Sequence, residues 1–305
     1  MNYFPNGIEE TNLIKFISKY QYINTNDCHY FFTSKKYYKQ RISNLIKKNF
    51  LKRIKLNLVL DKNGIEYVKL MSFEYNKLNR NKQYLPRLLY LSHFAAFYNN
   101  CNNISFSPSF SIKDKETFTT IARKFTGILT INGIKYLTYH ISKQHDNKYI
   151  YSIIYDIQKE RNYKNIIIFI DDKSKIKNIS DFTFGTNQVL IIEESNISKE
   201  KLKYINSIDW HLIINTIYKN DNISLSSYKF CDYTNYKDKY ITTFYFFDTE
   251  KINRIQYFLM ENKNKKMDVL SPKEIQPYLQ KYLPTCNYIS IDLENFIKKE
   301  LHIYD

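Results

Sequence analysis

The longest uninterrupted apolar run in the chain is about five residues, as in IIIFI (166–170). A bilayer-spanning helix needs roughly 20 such residues, so the run predicts a short strand buried on both faces in a layered α/β core. QVLIIE (188–193) reads the same way, and HLIINTIY and YITTFYFF read as later strands. FTGILTI and IKYLTYHIS, joined at Asn132-Gly133, predict a hairpin. NKYIYSIIYDIQKERN places Ile150, Ile153, Ile154 and Ile157 on one side of a helix. SPKEIQPYLQKYL carries a capping box, with Ser271 as N-cap, Pro272 at the first helical position and Glu274 three residues on. LENFIKKELHIY is expected to close the chain as a helix.

The N-terminal part follows a different pattern. TNLIKFISKY groups Leu13, Ile14, Phe16 and Ile17, with Thr11 as N-cap. NTNDCHYFF predicts a second helix start at Thr25, with Asp27 in its first turn. Ser34 is expected to cap a third helix over 35–48, on which Tyr38, Ile42, Leu45 and Ile46 recur at helical spacing. LKRIKLNLVLDKNGIEYVKLM then reads as two strands joined at DKNG, with Gly64 at the turn. Three short helices followed by a ribbon is the order of a winged helix-turn-helix, whose third helix enters the major groove. The expected organisation is a winged helix over 1–75, a connecting helix and linker over 76–103, an α/β domain over 104–250 and a helical segment over 251–305. The fold class is thus α+β or α/β, with no internal repeat.

Charge narrows the partner. The chain has 46 Lys or Arg against 30 Asp or Glu, a net +16, which favours a polyanion: nucleic acid first, anionic membrane second. Abundant Lys, Asn, Ile and Tyr beside five Gly reflects an AT-rich coding bias, so charge alone is a discounted signal. Its distribution counts for more. SKKYYKQRISNLIKKNFLKRIK, Ser34 to Lys55, holds nine Lys or Arg and no acid. A helix face selected only for solubility intersperses Glu for (i, i+4) pairs. The candidate DNA-binding residues are therefore Ser34, Lys35, Lys36, Tyr37, Lys39, Gln40 and Arg41 for base edges and phosphates. Lys47, Lys48, Lys52, Arg53, Lys55 and Lys62 follow at the helix end and wing. A membrane helix would want a strongly apolar opposite face and Trp, whereas the sole Trp, Trp210, is remote in sequence. MNYFPNGIEE shows no secretory signal, and Cys28, Cys101, Cys231 and Cys286 are isolated. Reduced, mostly buried thiols in a cytoplasmic protein are the expectation.

The run from LIKFISKY through RISNLIKKNFLKRIK to GIEYVKL resembles the replication-relaxation family of plasmids and conjugative elements. Arg41, Leu45, Ile46, Phe50, Leu51 and Arg53 fit its spacing, with Asn49 where the family has Gly, a residue compatible with a left-handed helix cap. The resemblance covers roughly the first 100 residues. It implies sequence-specific binding of double-stranded DNA in plasmid replication or conjugative transfer, a possible homodimer, and replication or transfer proteins as further partners.

Hairpin–helix–strand order also fits a restriction-endonuclease-like scaffold. That chemistry needs an Asp on one strand and Glu/Asp-x-Lys on the next to hold Mg²⁺, yet 117–145 contains no acid. An inactive scaffold without metal or cofactor is the expectation. Asp171, Asp172, Glu193 and Glu194 follow strands and are read as loop caps, since no Gly-rich phosphate loop accompanies them. The six histidines form no HxH pair, and none of the 29 tyrosines stands out as a nucleophile. Three alternatives stay open: a transcriptional regulator with an α/β sensor domain, a nuclease with an atypical metal site, and an assembly protein whose charge serves a protein partner.

Overall fold

In a computed structural model of the chain, which describes residues 5, 7–79, 81–112, 124–219, 222–235 and 239–293, the apolar stripe Leu13, Ile14, Phe16 and Ile17 is buried along α1 (Ile8–Tyr20). Thr11 lies inside this helix, and Gly7 takes the N-cap position. A two-residue strand β1 (Ile23–Asn24) and a 3-10 turn (Asp27–Phe31) precede α2 (Tyr38–Lys47). Then come β2 (Leu51–Ile54), β3 (Asn57–Leu60), α3 (Lys62–Leu70), α4 (Leu85–Phe97) and β4 (Ile104–Pro108). The chain divides after Pro108 into two compact units. Among the described residues there are 11 α-helices and three sheets, a mixed α+β structure.

The hairpin of the first unit turns two residues after Ile54 rather than at DKNG. Leu51 pairs with Leu60 and Ile54 with Asn57, and β1 adds to β3 in the order β1-β3-β2. DKNG instead opens α3, where the Asp61 side chain accepts from the Lys62 N–H. Asp is a strong helix-capping residue, and that preference wins over the turn signal of Asn-Gly. Gly64 is needed for proximity: a Cβ there would lie 2.2 Å from the Phe50 carbonyl oxygen. The end of α2 has the left-handed cap. Asn49 takes φ 55°, its N–H bonds to Ile46 O, and the Phe50 N–H bonds to Leu45 O, both at 2.9 Å. Helix α4, expected in a connector, packs within the first unit: Ser92 Oγ donates to Tyr22 O at 2.5 Å, and His93 pairs with Asp27 at 3.0 Å.

The second unit comprises α5 (Ser109–Ile112), β5 (Gly127–Ile131), β6 (Ile134–Ile141), α6 (Asn147–Lys159), β7 (Asn165–Ile170), α7 (Ile176–Ser180) and β8 (Gln188–Glu193). It continues with α8 (Asn196–Leu202), α9 (Trp210–Ile217), β9 (Ile223–Leu225), β10 (Tyr233–Asn235), β11 (Tyr240–Thr243), β12 (Phe247–Asp248), α10 (Thr249–Glu261), β13 (Met267–Ser271), α11 (Gln276–Tyr282) and β14 (Asn287–Ser290). Five of its strands align as β12-β8-β7-β6-β5, with β6, β7 and β8 parallel and β5 an antiparallel hairpin partner. The expected turn is present, with Asn132 and Gly133 both at positive φ. A second sheet runs β14-β13-β11-β10-β9. The chain crosses between the sheets through the buried residues Phe244–Phe246, and one core serves both.

Three expectations fail here. HLIINTIY is a helix, because Asp209 caps the Leu212 N–H at 2.9 Å and an apolar run of this length suits either structure. Ser271 caps nothing, since it is the last residue of β13, paired with Ser290. The segment after residue 250 contributes two parallel strands besides its helices. The expected terminal helix lies almost wholly outside the described residues.

Gly64→Ala is expected to lower the unfolding free energy by about 2 kcal/mol through backbone overpacking. Asn49→Gly should be neutral or slightly stabilising, while Asn49→Ala should cost about 1 kcal/mol. Urea titration of the three variants checks the ranking.

Candidate nucleic-acid interface

The basic stretch occupies α2, its approach and the hairpin. Ile42 and Leu45 are buried, and this fixes which residues of α2 face outward: Lys39, Gln40, Ser43, Asn44 and Lys47 are exposed along one side. Ser34, Lys35, Lys36 and Tyr37 are exposed just before the helix, with the Lys36 ammonium 5.7 Å from the Tyr37 ring centroid. Ser34 does not cap α2, because the helix begins four residues later with Tyr37 at the N-cap and no side-chain cap bond. Lysines beside an uncapped N-terminus oppose the helix dipole, so Lys35, Lys36 and Lys39 are not placed to stabilise α2.

Arg41 is the exception. Expected on DNA, it turns toward α1, where its Nε donates to Glu10 Oε1 at 2.6 Å, its Nη2 to Glu10 Oε2 at 2.5 Å, and its Nη1 pairs with Glu9. The guanidinium also lies 4.9 Å from the Phe32 ring centroid. Glu10 is buried, and leaving its carboxylate unmatched would be unfavourable. The hydrogen bond with Glu10 shifts the Arg41 guanidinium further toward its charged form.

The hairpin extends the surface. Lys52, Arg53 and Lys55 are exposed, with Lys55 at φ 55° in the turn. Thr25, expected as a helix cap, instead anchors the turn: its N–H and hydroxyl donate to Leu56 O at 2.9 and 2.8 Å. Lys62 opens α3, exposed, and Lys48 is half-buried beside the helix cap. A groove of about 740 Å³ runs along the hairpin, and Lys52, Lys62 and Lys77 line it together with Ile54 and Tyr75. Lys35, Lys36, Lys39, Lys47, Lys52, Arg53, Lys55 and Lys62 make no ion pair among the described residues. Residues 1–108 hold 17 Lys or Arg and 6 Asp or Glu, a net +11 of the chain's +16. Sequence reasoning missed Ser43, Asn44 and Lys77. The first two carry no charge, and only their spacing from Ile42 and Leu45 marks them as outward.

The second unit engages the other candidates locally. Asp171 accepts from His140 Nε2 at 2.9 Å, and Asp172 accepts from the Ser174 N–H. Glu193 pairs with Lys173 at 2.8 Å, and Glu194 with the buried Lys199 at 2.9 Å. His145 accepts from the Ser142 N–H and stacks on Tyr149, and burial lowers its pKa. Among the described residues no cluster of three or more His, Cys, Asp or Glu side chains could hold a metal ion. The four cysteines are free; Cys28 and Cys231 are buried, and burial raises both thiols. No helix of the described residues is long and apolar enough to cross a membrane. A cavity of about 700 Å³ opens between α8 and the end of β14, walled by Ile197, Tyr204, Tyr245 and Ile291 with Lys201 and Glu274 also lining it. Comparison of the chain with models of known protein families, with curated proteins and with solved structures gives no match.

Arg41→Ala is expected to cost about 2 kcal/mol or more by stranding Glu10, whereas Lys39→Ala should leave stability within about 0.5 kcal/mol. The acid side is also predicted. Glu9 is held below its ordinary value of 4.5, chiefly by the Thr33 N–H. A carboxylate depressed in this way contributes stability that is complete above its unfolded pKa and lost as pH falls through the folded one. Thermal melts between about pH 6 and pH 3 should therefore fall less steeply for Glu9→Gln than for the wild type.

Proposed function

We propose that the first unit is a winged helix-turn-helix that binds double-stranded DNA in a sequence-specific manner, with α2 in the major groove and the β2–β3 hairpin as the wing. The order α1-β1-turn-α2-β2-β3, with β1 pairing on β3, supports this reading. The observation that carries it is the acid-free outward side of α2, continuous in sequence with the exposed basic hairpin. Gln40 and Asn44 suit bidentate contact with adenine, and Ser43 suits either hydrogen-bonding edge. Lys35, Lys36, Lys39, Lys47, Lys52, Arg53 and Lys55 suit phosphates, and Arg41 sets the helix in place.

Resemblance to the replication-relaxation family supports a role on a plasmid or other mobile element, in replication or transfer. The second unit then serves as a binding or dimerisation module. Its hairpin β5–β6, helix α6 and parallel β7 follow the order of a restriction-endonuclease-like scaffold. The two hairpin strands lack carboxylates, which supports a non-catalytic role. One observation favours a second reading, a regulator that senses a small molecule: the 700 Å³ cavity beside α8 falls in the ordinary range for ligand sites.

Fluorescence anisotropy on a duplex from the DNA flanking the gene, and on a scrambled duplex, tests the proposal across a salt series. Tighter binding to the native duplex is expected, with a log–log salt slope of about −0.9 per phosphate contacted. Lys36→Ala/Lys39→Ala should weaken both duplexes by about tenfold and flatten the slope. Gln40→Ala should instead reduce the preference between them by about 1–3 kcal/mol. Equal, weak binding to both duplexes, unaffected by the lysine changes, would rule the reading out.

A further inference from the structure

Helix α6 in the second unit has an outer face unlike a solubility face. Ile150, Ile153, Ile154 and Ile157 are buried. The single carboxylate of its 13 residues, Asp156, is also turned inward, where it accepts from the Lys124 N–H at 3.1 Å. What faces outward is Asn147, Lys148, Tyr151, Tyr155, Gln158 and Lys159. Lys148, Tyr151, Tyr155 and Lys159 follow one another at intervals of three and four, so they form one row along the helix. The two rings are 51% and 55% exposed. Neither is loose: the Lys159 ammonium lies 4.1 Å from the Tyr155 ring centroid, and Phe182 meets Tyr151 edge-on at 5.9 Å. Lys148 and Lys159 make no ion pair among the described residues.

We propose that this face of α6 is a stacking platform for single-stranded nucleic acid. Half-exposed aromatic rings flanked by ammonium groups that make no ion pair match a strand that presents bases and phosphates in alternation. Tyrosine is a poorer helix former than Lys, Glu or Gln, so local helix stability does not account for two such residues on the open side. The rings stand four residues apart, about 6 Å along the axis. That step suits bases unstacked and spread well beyond their 3.4 Å duplex rise, and a duplex keeps its base faces covered. The site takes any sequence, because every base offers a π-face. It is independent of the duplex-binding proposal, which concerns the other unit.

The test uses the full chain and a fluorescein-labelled 20-nucleotide oligo(dT) in anisotropy titrations at low salt, beside the duplex as control. Tyr151→Ala/Tyr155→Ala should weaken oligo(dT) binding at least tenfold and leave duplex affinity unchanged. Tyr151→Phe/Tyr155→Phe should retain wild-type binding, because stacking needs the ring and not the hydroxyl. Lys148→Ala/Lys159→Ala should flatten the salt dependence of oligo(dT) binding alone. Circular dichroism of each variant shows whether it is folded. The proposal is overturned if the wild type does not bind oligo(dT), or if the folded double-Ala variant binds it as tightly as the wild type. Loss of self-association in the double-Ala variant with oligo(dT) binding intact would mark the face as a protein contact and overturn the proposal as well.

Discussion

The orientation of α2 in the first unit depends on one charged cluster. Arg41 reaches from α2 to Glu9 and Glu10 at the start of α1, while Ile42 and Leu45 seat the same helix on the apolar core. Together they fix the helix rotation, so Lys39, Gln40, Ser43, Asn44 and Lys47 fall outward as a set. A guanidinium suits this task because its planar fork satisfies two carboxylates with parallel hydrogen bonds. The same geometry removes the only arginine of α2 from the outward surface. What remains on the outward side is lysine, two amides and a hydroxyl.

The far end of α2 shows how backbone constraints fix the hairpin relative to the helix. The left-handed Asn49 closes the helix and turns the chain directly into β2. Phe50, buried in this corner, presents its carbonyl to Gly64 so closely that no side chain fits there. Thr25 then fastens the hairpin turn from the opposite side. Helix, corner and hairpin are thus joined by short-range contacts, with no long flexible connection between them. The exposed lysines of the hairpin are therefore held on a frame of short-range contacts.

The second unit differs in character. Several of its acidic and histidine side chains find partners within a few ångströms, as with Asp171 on His140 and Glu194 on Lys199. These pairs tie the ends of the parallel strands to the helices and loops that follow. They read as structural fastenings. The features that look outward are instead the tyrosine and lysine row of α6 and the apolar cavity beside α8.

Much of this was legible in the chain itself. The Asn132-Gly133 turn identified the hairpin β5–β6, short apolar runs identified β7 and β8, and helical spacing identified α1, α2 and α6, because burial of one helix face imposes a period that sequence records directly. The acid-free basic stretch was equally visible. Other features required tertiary structure. DKNG and HLIINTIY each fit two local structures, and both prove to open helices, capped by Asp61 and Asp209. Ser271 became a strand residue because β14 pairs beside it. The role of Arg41 depended on carboxylates more than 30 positions away, and that of Gly64 on a carbonyl brought near by the fold. Sequence by itself determined where charge and apolar periodicity lie, since both are properties of local residue order. Which charges are left to face solvent was decided only by tertiary structure, because neutralisation and close packing depend on distances between residues remote in the chain.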